Sequence, residues 1–95
     1  MSQSGLQPQI LSGDATAIIR LENTDTSVVL DEVIGAVEFE KQDGSGAGAG
    51  VAGSVKLISA NSTGAETALT FGTSSTARGN NAEAARFTSS GNLAF

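Results

Sequence analysis

The chain has 95 residues, of which 39% are hydrophobic and 4% aromatic, and its formal net charge at pH 7 is −5. It contains neither cysteine nor histidine, which excludes disulfides and removes the usual ligands of transition metals. Its five basic residues are scattered along the sequence, and no apolar run reaches the roughly 20 residues of a membrane span. We therefore expect one small domain with no nucleic-acid partner and no membrane insertion.

The first 13 residues are polar, with isolated apolar side chains at Leu6, Ile10 and Leu11. This pattern predicts an extended attachment arm, ordered only against a partner. Residues 14–95 are predicted to form a single β-rich domain. A domain with so few large apolar residues and no disulfide usually needs further subunits to complete its core.

Short apolar runs separated by turn residues recur through the rest of the chain. In the run around Val37 and Phe39, apolar residues alternate with Glu38 and Glu40, which is typical of a half-buried strand. Residues 73–81, rich in serine, threonine and asparagine, are predicted to be a loop. This spacing favours an all-β fold with turns rich in glycine, serine and asparagine. The predicted strands are 15–22, 27–30, 33–41, 55–60, 65–73, 83–88 and 93–95.

A glycine-rich tract follows residue 43, and within it Gly48, Gly50 and Gly53 fit the spacing G-x-G-x-x-G. In a dinucleotide-binding unit that motif opens a helix, with an acidic residue about 20 positions further on. Here a strand is predicted to follow, and the residue 20 positions after Gly53 is Thr73. No lysine closes the tract as a P-loop would require. We predict a connection between two strands and no bound cofactor.

Catalytic residue types are scarce. Without histidine or cysteine, a nucleophile would need a serine–lysine arrangement or a carboxylate pair, and Lys41 and Lys56 mark no recognisable site. Glu38 and Glu40, with Asp43 nearby, could hold a hard cation, although a solvated strand face is the commoner meaning of such a pattern. The sequence predicts a protein that is not an enzyme and has no metal site.

Several segments together resemble a module found in bacteriophage tail-fibre proteins and other phage structural proteins. The resemblance covers about four-fifths of the chain, and two departures accompany it. Ala84 and Ala85 stand where the module usually has arginine and methionine. The chain also stops at Phe95, where many members continue into an intramolecular chaperone domain, so it is either a fragment or a protein that assembles without that domain. The matching segments are LENTDTS at 21–27, IGAVEFEKQDGSGAGAGV at 34–51, SVKLISANS at 54–62, TALTFGTSS at 67–75 and EAARFTSSGNLAF at 83–95.

The resemblance implies a non-enzymatic virion protein that forms an intertwined homotrimer, as a β-prism, β-helix or β-sandwich-like fibre domain. A short tail fibre is the leading expectation, with the N-terminal arm bound to other virion proteins. The alternatives are a capsid decoration or cement protein and a module that binds a host surface glycan through residues 74–81; a depolymerase is the weakest. The candidates for a core shared by the three copies are Val37, Phe39, Leu57, Leu69, Phe71, Phe87, Leu93 and Phe95.

Overall fold

The computed structural model describes Gly13 and residues 15–95, so the predicted arm with Leu6, Ile10 and Leu11 lies outside the described residues. The described part of the chain is all-β, as predicted, and contains no helix able to cross a membrane. One antiparallel sheet holds all five strands in the order β1-β2-β3-β4-β5, and it does not close into a barrel. The strands are β1 (Val33–Lys41), β2 (Gly50–Ser59), β3 (Thr67–Ser75), β4 (Gly79–Phe87) and β5 (Leu93–Ala94).

Two strands are longer than the sequence predicts. β2 begins at Gly50, inside the glycine tract, and the predicted loop 73–81 is largely replaced by the ends of β3 and β4, which a turn at residues 76–78 connects. Serine and asparagine side chains support the ladder there. Ser74 Oγ donates to the carbonyl of Ala52 (2.7 Å) and accepts a hydrogen bond from the amide of Asn81 (3.0 Å). The loop prediction was wrong because these residue types favour turns unless such partners are present.

The predicted strands 15–22 and 27–30 are not strands in the structure. Residues 15–22 make no backbone hydrogen bond to any other described residue, and a strand exists only beside another strand. Residues 27–30 lead into a turn, after which the amide of Asp31 donates to the carbonyl of Ser59 and the amide of Ser59 donates to the carbonyl of Glu32, both at 2.9 Å. This pair extends the β1–β2 ladder by one step.

Two of the ladders are irregular. Register shifts interrupt the β1–β2 and β3–β4 ladders, and such bulges bend a strand and increase its twist. Ser54 of β2 meets Asn81 of β4 over Gly72 of β3, which has no side chain to separate them; Ser54 Oγ donates to Asn81 Oδ1 at 2.8 Å. Among the described residues, Ile58 and Ala68 are the only buried hydrophobic side chains. The single chain therefore has almost no hydrophobic core.

Candidate functional site

Most of the predicted core side chains lie together on one face of the sheet, which we call the apolar face. Residues directly opposite each other in an antiparallel ladder point to the same side. One row across the sheet runs through Gly35, Leu57, Leu69, Phe87 and Leu93, and a second row runs through Val37, Val55, Phe71 and Ala85. Phe39 lies opposite Gly53 on the same side. Seven of the eight candidates are thus neighbours.

The apolar face is open in the single chain. Phe39 is 62% exposed, Val37 and Leu93 are each 49% exposed, and Phe87 is 43% exposed. In a small antiparallel sheet the apolar side normally packs on a core. Exposed apolar patches of this kind mark surfaces that bind a protein, a membrane or a ligand.

Phe95 is the one candidate that no strand pairing places on this face. It follows β5 and is 96% exposed. Its position two residues after Leu93 predicted a shared side, but β5 ends at Ala94, so no ladder fixes the direction of the last side chain.

Leu21 covers one end of the apolar face, and sequence analysis did not include it in the core set. Its side chain lies over Gly35, about 4 Å from where a Cβ would stand on that glycine. A shallow cavity of about 200 Å³ opens beside it, lined also by Val37, Val55 and Leu57. The alternation of Ile19 and Leu21 was the signal that could have identified it.

Two aromatic rings lie in contact in the middle of the apolar face. Phe71 of β3 and Phe87 of β4 meet edge to face, with ring centroids 6.2 Å apart and an interplanar angle of 74°. This is a favoured geometry for an aromatic pair. The pair links the apolar surfaces of the two neighbouring strands.

The opposite face of the sheet is polar near β4. Arg86 donates twice to the Glu83 carboxylate, from Nε to Oε2 and from Nη2 to Oε1, both at 2.7 Å. These hydrogen bonds hold the pKa of Glu83 below its ordinary value and raise the pKa of Arg86. The guanidinium and the carboxylate are hydrogen-bonding partners of each other. The pair is therefore suited to stabilising the bulged part of β4 and not to proton transfer.

The glycine tract joins β1 to β2, as the sequence predicts, and it packs against the turn between β3 and β4. Asn80 Nδ2 donates to the carbonyl of Gly48 (3.0 Å), and Lys41 Nζ donates to the carbonyl of Ser45 (3.2 Å). Gly48 has φ +97°, a conformation that glycine adopts without strain. Hydrogen bonds from Ser45 lower the pKa of Asp43. These contacts fix the conformation of the connection between β1 and β2.

Few clusters of residues that could bind a metal or take part in catalysis occur in the part of the chain that the structure describes. No three histidine, cysteine, aspartate or glutamate residues among residues 15–95 are grouped so as to hold a metal ion. Glu40 instead accepts a hydrogen bond from Gln42 Nε2 at 3.0 Å. The apolar face is the most developed feature that could serve a function.

No protein-family model and no curated protein matches this sequence.

Proposed function

We propose that this chain is a non-enzymatic structural protein of a bacteriophage virion, and that three copies associate through their apolar faces in a short tail fibre. The observation that carries the proposal is the open apolar face, which holds most of the large hydrophobic side chains of β1 to β5. The motif order between residues 21 and 95 supports the assignment to a phage.

The distribution of burial supports self-association. Removing apolar surface from water contributes roughly 25 cal/mol per Å², yet Ile58 and Ala68 are the only buried hydrophobic residues in the described single chain. Three sheets arranged around an axis would bring Val37, Phe71 and Phe87 of each copy into one shared core. The result would be a β-prism, whose interior no copy could form alone.

A capsid decoration protein is the second candidate, because a trimer that buries the same face would also fit a capsid lattice. The two candidates differ in where the assembly is attached and not in how it is built. A reconstruction of the virion that places this chain on the tail or on the capsid separates them.

Multi-angle light scattering on the full chain tests the association. We expect a mass of three chains of 9.5 kDa each. Val37→Asp places a charge on the apolar face and should yield monomers, since an unpaired charge is costly to bury. Val29→Asp is a matched control, because Val29 is similarly exposed (57%) but lies outside the strands.

Each outcome has a definite meaning. A wild-type chain that stays monomeric over a wide concentration range contradicts the homotrimer. A trimer that survives Val37→Asp shows association through another surface. A trimer lost in both variants points to a general loss of folding, which circular dichroism of the two variants then reveals.

A further inference from the structure

We propose that residues 15–20 form a β-strand on a second copy of this chain, added to the outer edge of that copy's β1. The inference rests on the proposed homotrimer and specifies how its copies interlock. It accounts for a segment whose sequence is typical of a strand but which the single chain leaves without a strand partner.

The segment has the composition and alternation of a strand. Its odd positions are Ala15, Ala17 and Ile19, all apolar, and its even positions are polar apart from Ile18. Every residue in the segment is exposed, with Ile19 at 75% and Ile18 at 59%. β-branched side chains in such number favour a strand packed on another element.

Two contacts fix where the segment leaves its own sheet. Leu21 lies over Gly35, and Asn23 Nδ2 donates to the carbonyl of Ile34 at 2.9 Å. Both contacts are at the beginning of β1. Residues 15–20 precede this anchor and are free of backbone bonds to the described residues, so they are placed to cross to a neighbouring copy.

The outer edge of β1 suits an added strand better than the other edge of the sheet. β1 has nine residues, and beyond Ile34 no backbone or side-chain hydrogen bond of a described residue occupies its outer edge. The opposite edge ends in β5, which has only two residues. Next to β5, the guanidinium of Arg78 already donates to the carbonyls of Ala82 (3.0 Å) and Glu83 (2.8 Å). Short and occupied edges resist strand addition.

The two strands also match in side-chain pattern and charge. If the apolar positions of both strands face the same side, Ile19 comes beside Val37 or Phe39, which are largely exposed in the single chain. Arg20 then lies on the side of Glu38 and Glu40. Opposite charges on neighbouring strands stabilise a pairing, and apolar cross-strand pairs do the same.

Donation of this kind is heterologous, because the donor segment and the acceptor edge are different surfaces. Each copy gives one strand and receives one, so three copies can close a ring. This relationship predicts which cysteine pairs can form disulfides, and the chain contains no cysteine that would interfere.

Single-cysteine variants of the full chain provide the test. We expect that mild oxidation of mixed Ile19→Cys and Val37→Cys chains, or Ile19→Cys and Phe39→Cys chains, gives disulfide-linked dimers, while each variant alone gives few. Neighbouring positions on paired strands are within the reach of a disulfide. Leu93→Cys is the matched control acceptor, since Leu93 is as exposed as Val37 but lies at the other edge.

Other results overturn the proposal. Stronger cross-linking to Leu93→Cys shows addition at the wrong edge, and an Ile19→Cys/Val37→Cys chain that forms only an internal disulfide shows pairing within one copy. If light scattering finds trimers and no mixture cross-links, strand donation is wrong and the homotrimer stands. If the wild-type chain is a monomer, both the proposed trimer and the strand donation that rests on it are wrong.

Discussion

Val28 packs directly over Gly64, the glycine in the connection between β2 and β3. A Cβ placed on Gly64 would come within 3.0 Å of the Val28 Cβ and 3.2 Å of its Cγ1. Gly64 also has φ +76°, which side chains other than that of glycine rarely adopt. The contact fastens the segment before β1 to the β2–β3 connection, at the end of the sheet where β1 begins and β2 ends.

We predict that Gly64→Ala destabilises the fold by more than the backbone conformation alone explains. The left-handed conformation costs an alanine about 1–2 kcal/mol, and displacement of Val28 adds to it. The free energy of unfolding from urea denaturation, at one fixed chain concentration, measures the loss. Gly91→Ala is the matched control, because Gly91 has φ +87° but nothing within 4 Å of an added Cβ. Equal losses in the two variants would show that the Val28 contact contributes nothing.

Sequence reasoning identified β1 to within a residue and the face that holds Val37, Leu69 and Phe87, because period-2 alternation is visible without knowledge of neighbours. It missed the ends of β3 and β4, where Ser74 and Asn81 replace part of the ladder. Such hydrogen bonds depend on contacts between distant residues. The register shifts in the β1–β2 and β3–β4 ladders are also hidden from the sequence, because alternation does not reveal bulges.

A second prediction concerns Gly72, which lies in β3 beneath the hydrogen bond between Ser54 and Asn81. A Cβ on Gly72 would overlap Asn81 Oδ1. Gly72→Ala should therefore destabilise the fold by about 1–3 kcal/mol, the usual cost of overpacking, and separate β4 from β2 at this point. Urea denaturation of the variant measures the loss of stability.

The double variant Gly72→Ala/Asn81→Gly isolates the cause. Glycine removes the clashing side chain and tolerates the φ of +55° at position 81. We therefore expect the double variant to be more stable than the sum of the two single changes indicates. Gly44→Ala is the neutral control, since nothing lies within 4 Å of its added Cβ. Strict additivity of the two changes would contradict the proposed clash.

A third prediction concerns the neighbouring carboxyl groups of Asp25 and Glu32. The Asp25 carboxyl raises the pKa of Glu32. The amide of Ser27, which donates to Asp25 Oδ1 at 2.8 Å, and the Glu32 carboxyl lower the pKa of Asp25. Carboxyl carbon NMR should show Glu32 titrating above the ordinary glutamate range. Asp25→Asn should bring the Glu32 midpoint down, because the asparagine carries no charge to favour a protonated neighbour. An unchanged midpoint would contradict the pairing; Asp43→Asn is the control, since Asp43 is bonded to Ser45 instead.

The last prediction concerns the pH dependence that Glu83 confers. Arg86 lowers the pKa of Glu83 in the folded protein. The Glu83 carboxylate therefore takes up a proton less readily in the folded protein than in the unfolded chain. The contribution of Glu83 to the free energy of unfolding is therefore fully present above the pKa of glutamate in the unfolded chain. It is lost as the pH falls through the lower pKa of Glu83 in the folded protein.

Replacing Arg86 tests the direction of this pH dependence. In Arg86→Gln, Glu83 should titrate near the ordinary glutamate pKa, and the extra loss of stability in acid should disappear. Carboxyl carbon NMR reports the titration, and urea denaturation between neutral and acidic pH reports the stability. Lys56→Gln is the control, since the Lys56 ammonium affects Glu83 only through its charge and donates no hydrogen bond to it. It should move the Glu83 midpoint less than Arg86→Gln does. An equal shift in both variants would show that the positive charge near Glu83 lowers its pKa, and not the two 2.7 Å hydrogen bonds from Arg86.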